Sequence, residues 1–375
     1  MKKKILIGIL IFIIIIIIAI ACSIFWYHSQ IEPVDLTNST EITIEIESGM
    51  STEQILEKLY ENNLINNVFA SKVYIKLNEV SGLQAGKYAL SPYMSLEEIL
   101  SIISNGEVIY EEISITFTEG KNMTWIAQKI AEETNNTEEQ VYSLLEDEEY
   151  IESLIEQYWF LTDTILDDDI YYPLEGYLWP ETYNFENVDV SVETIFETLL
   201  NQTDEMLTKY SEEITESGGS IHQILTLASV VELEGNDAES RNKIASVFFN
   251  RLDNDMTMGS DVTTYYAIQV DVNERDLYDE EINTYNPYNT RGPDMEGKLP
   301  VGPIASVSEE SLYAVLNPAD TDYLYFVSDI NGEIYFSSTY EEHQSKIEEL
   351  QKQGLWYEYE EETETSEDSN DEENE

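Results

Sequence analysis

The chain of 375 residues carries 76 acidic and 18 basic residues, a formal net charge of −58 at neutral pH. This excess of negative charge argues against a nucleic acid partner, because binding to nucleic acid requires a positive surface. The three histidines are far apart and Cys22 is the single cysteine, so the sequence offers no histidine motif for a catalytic metal and no intrachain disulfide. No glycine-rich phosphate loop is present either, and we expect no metal and no cofactor.

The N-terminal segment predicts a membrane anchor. Three lysines precede an uncharged run over residues 5–26, which is long enough to cross a bilayer as a helix and ends near the interface residue Trp26. The lysines favour a cytoplasmic N-terminus, so residues 1–27 are predicted to form the cytoplasmic N-terminus and the transmembrane helix, with the remainder of the chain outside the cell membrane. The alternative is a lipoprotein signal that ends at a lipid-modified Cys22.

A polar linker is predicted for residues 28–41, and a small α/β module for residues 42–112. Alternating apolar residues predict a strand over residues 42–46. Capping-box patterns that begin at Ser51 and at Ser95 mark two helix starts. Repetition of strand, glycine turn and capped helix indicates a module that lines a groove; the alternative is ordinary capped helices in any fold.

Residues 113–215 predict a second, looser copy of this unit, starting with a strand at 113–117, followed by connecting acidic helices. Prolines, a glycine and six aromatic residues interrupt the helical pattern over residues 171–185. Two interpretations stay open. Exposed aromatic rings could stack on sugars while Glu175 or Glu181 binds hydroxyl groups, or the segment could be a packed crossing between elements.

A helix is predicted from Ile221 to Gly235, a residue suited to a left-handed turn after a helix. Glu232 falls on its apolar side, and a carboxyl group in apolar surroundings tends to keep its proton near neutral pH. A protonated carboxyl is what a general acid requires. The alternatives are an ion pair with a core arginine or lysine, or a rotated helix that exposes Glu232.

The last predicted domain spans residues 216–351, and its C-terminal part contains a hairpin. Two apolar runs flank Asn331 and Gly332, a strong hairpin signal. Residues 352–375 are acidic and predict a disordered tail. The fold class predicted from these elements is α+β: a transmembrane helix, the small α/β module and a mixed α/β catalytic domain.

Several motifs resemble one family in their order along the chain. "LEGYLWPETY", "LASVVELE", "KIASVFFNRL", "NPYNTR", "LPVGPIA" and "YLYFVSD" are similar to segments of the endolytic murein transglycosylases, also called MltG or YceG-like proteins. The resemblance covers most of residues 42–349. It implies that the module at residues 42–112 is LysM-like, the fold of a peptidoglycan-binding domain, and that Glu232 is the catalytic acid of the "ASxVExE" motif.

The same resemblance implies a set of substrate-binding residues. The family's loop after "FxNRL" often reads Gln-Thr-Asp-Pro-Thr, whereas this chain has Gly-Ser-Asp-Val-Thr at residues 259–263, so only the Asp and the second Thr carry over. With Glu175 from the aromatic segment, the predicted substrate-binding residues are Glu175, Asp261, Thr263, Tyr288, Asn289, Thr290, Gly302 and Pro303.

The function implied is that of a membrane-anchored lytic transglycosylase. Such an enzyme cuts nascent peptidoglycan between N-acetylmuramic acid (MurNAc) and N-acetylglucosamine (GlcNAc), and leaves a 1,6-anhydro end. Peptidoglycan strands are the expected substrate, and peptidoglycan polymerases are expected partners because a strand terminator acts near the growing end. The alternatives are a hydrolase of the same glycan, which would leave reducing ends, and a non-catalytic glycan-binding scaffold.

Overall fold

The computed structural model describes residues 2–109 and 112–356. It divides the chain into two compact units, Met1–Glu111 and Glu112–Glu375, which are described separately. Most of the predicted acidic tail, from residue 357 onward, lies outside the described residues.

The first helix, α1 (Lys2–Ile31), is the predicted apolar segment. Its stretch Leu6–Ile31 has a mean hydropathy of 3.4, and none of its most apolar window is buried against the protein. It is the helix among the described residues that is long and apolar enough to cross a membrane. The helix also includes residues 28–31, which the sequence pattern assigned to the linker.

The first unit also contains a two-stranded antiparallel sheet, in which β1 (Ile42–Ile46) pairs with β2 (Gly86–Leu90). Two helices, α2 (Thr52–Glu61) and α3 (Val68–Leu77), connect the strands, and α4 (Leu96–Asn105) follows. Alternate residues of the strands and the apolar faces of the helices form one core. Ser51 and Ser95 form the predicted capping boxes at the starts of α2 and α4. The LysM-like character of this module stays a prediction.

Over its described residues, the second unit is mainly helical and has two further two-stranded antiparallel sheets. Its helices are α5 (Met123–Glu133), α6 (Glu138–Leu145), α7 (Glu148–Gln157), α8 (Val192–Lys209), α9 (Ser211–Ser217), α10 (Ile221–Glu234), α11 (Ala238–Asp253), α12 (Asp261–Ala267), α13 (Asp279–Ile282), α14 (Glu309–Leu316) and α15 (Tyr340–Gln353), with a short 3-10 helix at Asp163–Leu166. Its strands are β3 (Ile113–Thr116), β4 (Thr182–Phe185), β5 (Tyr325–Ser328) and β6 (Ile334–Ser337).

The aromatic segment at residues 171–185 is largely a packed crossing. Leu174, Tyr177, Leu178 and Trp179 are buried in the core of the second unit. The segment then forms β4, which pairs with β3. The structure therefore does not support the interpretation of this segment as a set of exposed rings that stack on sugars.

Helix α10 lies at the centre of the second unit, against α11, α12 and α14. Residues on both of its faces are buried, including the polar residues His222, Thr226 and Ser229. The predicted mixture of helices and short strands, preceded by one apolar helix, is confirmed.

Candidate active site

Glu232 lies in the last turn of α10, and its side chain is only 6% exposed. The helix begins with a capping box between Ser220 and Gln223. It ends at Gly235, whose backbone is extended (φ −104°, ψ 135°) and not left-handed as the sequence pattern predicted. The carboxyl group therefore sits beside the point where the chain turns from α10 into α11.

Both oxygens of the Glu232 carboxylate accept hydrogen bonds. Arg241, in the first turns of α11, donates from Nη2 to Oε1 at 2.9 Å. Oε2 accepts from the backbone N–H of Ser308 at 3.1 Å, from the Ser311 hydroxyl at 2.5 Å and from the Ser308 hydroxyl. Ser308 is the N-cap of α14, so the carboxylate also faces the partial positive charge at a helix N-terminus.

This environment differs from the apolar surroundings expected for Glu232. An arginine N–H and a backbone N–H can only donate hydrogen bonds, and one of them points at each oxygen of Glu232. Each oxygen of the carboxyl group therefore has one fixed donor, and the Ser308 and Ser311 hydroxyls at Oε2 can either donate or accept. The structure contains the alternative that the sequence left open, an ion pair between Glu232 and a core arginine. This pair lies next to an open cleft.

Arg241 is shared between two carboxylates. Its Nη1 contacts Oε2 of Glu310 at 2.6 Å, and its side chain is 12% exposed. The Nε atom is buried without a hydrogen-bond partner among the described residues. Arg241 therefore links the covered Glu232 to Glu310, whose side chain is 60% exposed.

Arg241 approaches residue 235 so closely that only a glycine fits there. A Cβ atom at residue 235 would lie 2.4 Å from Cγ of Arg241 and 3.2 Å from the carbonyl oxygen of Val231. We expect Gly235→Ala to displace Arg241 and to lower the free energy of unfolding by about 1–3 kcal/mol, the usual cost of overpacking. Thermal unfolding of the full-length protein measures this loss.

Gly219→Ala is the matched control, since it lies just before the same helix. A Cβ there would be 3.5 Å from the nearest atom, an ordinary contact with Ile224. A loss of stability in the control as large as that in Gly235→Ala would contradict the steric explanation.

A cleft of about 520 Å³ is lined in part by Ser308, which binds this carboxylate. Its lining residues are Glu119, Tyr210, Ala238, Ser308, Glu309, Glu310 and Tyr313. Ser308 belongs both to the cleft wall and to the donors of Glu232. Partial burial, and then the negative charge of Glu232, raise the pKa of Glu119 above its ordinary value. Sequence patterns singled out neither Glu119 nor Arg241, because neither forms part of a local motif with Glu232.

Most of the predicted substrate-binding residues have buried side chains. Thr263 and Thr290 contact each other, with their Oγ1 atoms 2.8 Å apart. Asn289 accepts from the Thr264 hydroxyl at 2.7 Å and donates to three backbone carbonyls. Tyr288 is fully buried, with its ring centroid 4.8 Å from that of Tyr266. These side chains therefore contact other groups inside the protein.

The other predicted binding residues occupy different settings. Gly302 and Pro303 are buried, and Pro303 packs against Gly176. Asp261 is exposed and forms an ion pair with Arg291. The segment after Pro303 is joined to α10, because the N–H of Ile304 donates to the Ser229 hydroxyl at 3.0 Å.

Glu175 is buried, with an exposed fraction of 1%. Its Oε2 accepts from the backbone N–H of Met123 and from the Tyr266 hydroxyl, both at 2.9 Å, whereas Oε1 has no partner among the described residues. Burial raises the pKa of Glu175 to about 7. Glu234, which is half-buried, accepts from the Ser260 hydroxyl at 2.5 Å, and burial raises its pKa as well.

The raised pKa of Glu175 makes stability depend on pH. The folded chain holds this proton up to about pH 7, whereas the unfolded chain releases it near the ordinary value of 4.5, so stability falls as pH rises between these values. The loss from this one group is about 3 kcal/mol. In Glu175→Gln this loss is absent, and we expect its stability relative to wild type to improve by about that amount from pH 4.5 to pH 8.

Thermal unfolding of both proteins across this pH range measures the difference. Glu181→Gln, an exposed acid of the same segment, is the control and should follow the wild-type pH dependence. Parallel curves for wild type and Glu175→Gln would show that Glu175 is not protonated in the folded chain.

Residues 44–349 match the YceG-like family. A Bacillus subtilis (strain 168) protein named endolytic murein transglycosylase is 39% identical over 321 residues, which are 84% of this chain and 86% of that protein. A protein of the same name from Streptococcus pneumoniae serotype 2 (strain D39) is 28% identical over 335 residues, 84% of this chain and 60% of that protein.

A solved structure is also similar. The 2.6 Å crystal structure of the yceG-like protein lmo1499 from Listeria monocytogenes has a TM-score of 0.59 and 35% sequence identity. The similarity covers 82% of this chain and 99% of the Listeria chain. Because the family matches residues 44–349 and the Bacillus relative is 39% identical over 84% of this chain, the chain belongs to the YceG-like family.

Proposed function

We propose that this protein is a membrane-anchored peptidoglycan transglycosylase and that Glu232 is its essential catalytic residue. The observation that carries the proposal is the Glu232 carboxylate, positioned by groups from α11 and α14 at the edge of an open cleft. The names of the Bacillus and Streptococcus relatives support murein as the substrate.

The proposed reaction cleaves the β-1,4 bond between MurNAc and GlcNAc inside a strand. The C6 hydroxyl of MurNAc attacks its own anomeric carbon and closes a 1,6-anhydro ring, so no water and no enzyme nucleophile has to be positioned. An intramolecular nucleophile has a high effective concentration. Glu232 would give its proton to the oxygen that leaves the anomeric carbon and then accept the proton of the C6 hydroxyl, so one carboxyl group serves both transfers and ends in its starting state.

The proposed location is the cell membrane, with one pass. The segment Leu6–Ile31 supports an anchor by its length and hydropathy. The lysines before it favour a cytoplasmic N-terminus and a catalytic domain outside the membrane. A peptidoglycan polymerase as partner follows from the proposed role in ending strand elongation.

The proposed domain organisation assigns the α/β module at residues 42–112 to glycan binding as a LysM-like domain, after the linker at residues 28–41. Residues 113–215 form the connecting region, residues 216–351 the catalytic domain, and residues 352–375 the acidic tail. The strand and helix order of the module, β1, α2, α3 and β2, supports a compact βααβ unit.

The proposed substrate contacts divide by exposure. Asp261, the exposed member of the predicted set, is suited to contact sugar directly if Arg291 exchanges partners. Thr263, Tyr288 and Asn289 would act by holding the walls of the site, because their side chains bond within the protein.

Product analysis tests the proposed function. The full-length protein in detergent is incubated with uncrosslinked glycan strands, and the fragments are identified by mass spectrometry. Internal fragments with 1,6-anhydro-MurNAc ends support the proposal. Fragments with reducing MurNAc ends would show a hydrolase, and no fragments at all would favour a glycan-binding scaffold.

The hydrolase is a second candidate because of one specific observation. Hydrolytic glycosidases ordinarily use two carboxyl groups on either side of the bond. Glu119 is an acid that lines the cleft, and it is close enough for the charge of Glu232 to affect it. The ends of the fragments distinguish the two chemistries directly.

A further inference from the structure

Helix α3 of the first unit presents an apolar stripe on its surface. The stripe consists of Phe69, Val73 and Leu77, which are spaced four residues apart and therefore lie on one face of the helix. Phe69 is 67% exposed and Leu77 is 69% exposed, whereas Val73 is half-buried. A row of large apolar side chains at the surface indicates a site of contact with another molecule or with a membrane.

Helix α3 packs against the apolar helix α1. Just before α3, Nδ2 of Asn66 donates to the carbonyl of Glu32 at 2.8 Å. Near the other end of α3, burial and then the negative charge of Glu97 raise the pKa of Tyr74, and Tyr27 is close enough to add a smaller effect. Helix α3 therefore runs antiparallel to α1, and its C-terminal end is directed back toward the apolar run of α1.

The apolar run of α1 ends at the level of Tyr27. Residues from Leu6 to Trp26 are exposed, and Tyr27 is the first described residue of α1 that the rest of the unit partly covers. About 20 apolar residues in a helix span the hydrocarbon of a bilayer, and Trp and Tyr are typical of its interface. Because Tyr74 lies close to Tyr27, Leu77, three residues further along α3, lies at the depth of this interface.

Contacts within the unit attach the α/β module to the end of α1. The side chain of Ile31, the last residue of α1, packs against the core of the module. Beyond α1, the N–H of Asp35 donates to the carbonyl of Pro92 at 3.0 Å, in the loop before α4. The position of α3 relative to α1 is therefore set by the packing of one compact unit.

The charge of this part of the chain suits a lipid surface. Residues 62–87 contain three lysines and one acid, Glu79, although 76 of the 375 residues of the chain are acidic. Lys72 pairs with Glu53 of α2, whereas Lys76 is exposed at the edge of the stripe. Anionic headgroups therefore repel this segment less than the rest of the chain, and Lys76 can extend its ammonium group to them.

We propose that the apolar stripe of α3 binds the outer surface of the membrane, with Leu77 at the boundary of the hydrocarbon and Lys76 at the headgroups. An apolar stripe bordered by lysine is the composition of a helix that lies in a membrane interface. This inference rests on the proposed membrane anchor. It gives the unit two attachments, α1 and α3, so the α/β module is held against the membrane in one orientation.

Spin labels on single cysteines test this inference. Cys22 is the single cysteine of the chain, so labels are introduced with Leu77→Cys or Phe69→Cys in a Cys22→Ser background. The full-length proteins are reconstituted into vesicles of phosphatidylcholine and phosphatidylglycerol. Electron paramagnetic resonance then measures collisions of each label with oxygen, which concentrates in hydrocarbon, and with a polar nickel chelate, which stays in water.

We expect the label at Leu77 to collide mainly with oxygen. The label at Phe69 should lie shallower than that at Leu77 by up to about 12 Å, the length of eight residues of helix. Tyr60→Cys in the same background is the matched control, because Tyr60 is an exposed aromatic residue at the end of α2, close in the chain to Asn66. Its label should collide mainly with the nickel chelate.

Two results at Leu77 would overturn the inference. Collisions with the nickel chelate as frequent as those at Tyr60 would show that the stripe is open to water. Few collisions with either reagent would show that protein, such as a second copy of the chain, covers the stripe.

A label on Cys22 of the otherwise unchanged protein tests the anchor separately. Cys22 is exposed on α1, within the apolar run, and its label should collide mainly with oxygen. If that label collided with the nickel chelate instead, the proposed membrane anchor itself would fail. Oxygen collisions at Cys22 together with nickel collisions at Leu77 would overturn the role of α3 alone.

Discussion

Glu232→Gln is expected to slow the release of fragments from peptidoglycan strands by about 10²- to 10⁴-fold. The amide has almost the same shape as the carboxyl group but cannot accept the C6 proton. The Ser308 and Ser311 donors that now hold Oε2 can still bond to an amide oxygen. The variant should therefore fold and still bind glycan strands. Fragment release is followed by mass spectrometry, and glycan binding by co-sedimentation.

Glu239→Gln is the control for the loss of one acid. Glu239 lies on α11, its side chain is 81% exposed, and it pairs only with Lys243 among the contacts described. We expect its activity to equal that of wild type. If Glu232→Gln kept wild-type activity, Glu232 would not be a catalytic residue. If the variant also kept the effect of the wild-type protein on cells, a glycan-binding scaffold would be favoured.

Elements that depend on nearby residues could be predicted from the sequence. The strand at Ile42–Ile46 and the capped starts of α2 and α4 rely on patterns within a few positions. The hairpin of β5 and β6 follows from a turn in which Gly332 has a φ of +82°. Strand β4 was not predicted, because it is completed only by pairing with the distant strand β3.

The surroundings of Glu232 could not be derived from the helix that carries it. Periodicity describes which face of α10 is apolar, but it contains no information about residues from other elements. Arg241 lies nine positions away and Ser308 is 76 positions away. These partners turn an apolar helix face into a polar site for a carboxylate.

Motif similarity located the segments that resemble the family but could not separate residues that contact substrate from residues that support the site. Asn289 and Thr290 belong to the "YNT" segment, and their side chains have partners inside the protein. A polar residue in a loop is often read as a binding residue, although buried polar groups need partners wherever they lie. Only the folded arrangement shows which polar groups already have them.

Arg241→Met is expected to lower the free energy of unfolding by about 3 kcal/mol, a typical cost of breaking a buried ion pair. Methionine can fill much of the same space, but it leaves the Glu232 carboxylate with its serine donors only. For a unit of this size the unfolding temperature should fall by roughly 6–12 °C. Tryptophan fluorescence of the full-length protein follows the transition.

Glu310→Gln separates the two partners of Arg241. Glu310 is 60% exposed, so removal of its charge should cost less than about 1 kcal/mol. The double variant Arg241→Met with Glu232→Gln contains neither charge of the buried pair, and we expect it to be more stable than the sum of the single variants predicts, by about 1–3 kcal/mol. Additive losses would mean that Arg241 stabilises the fold independently of Glu232.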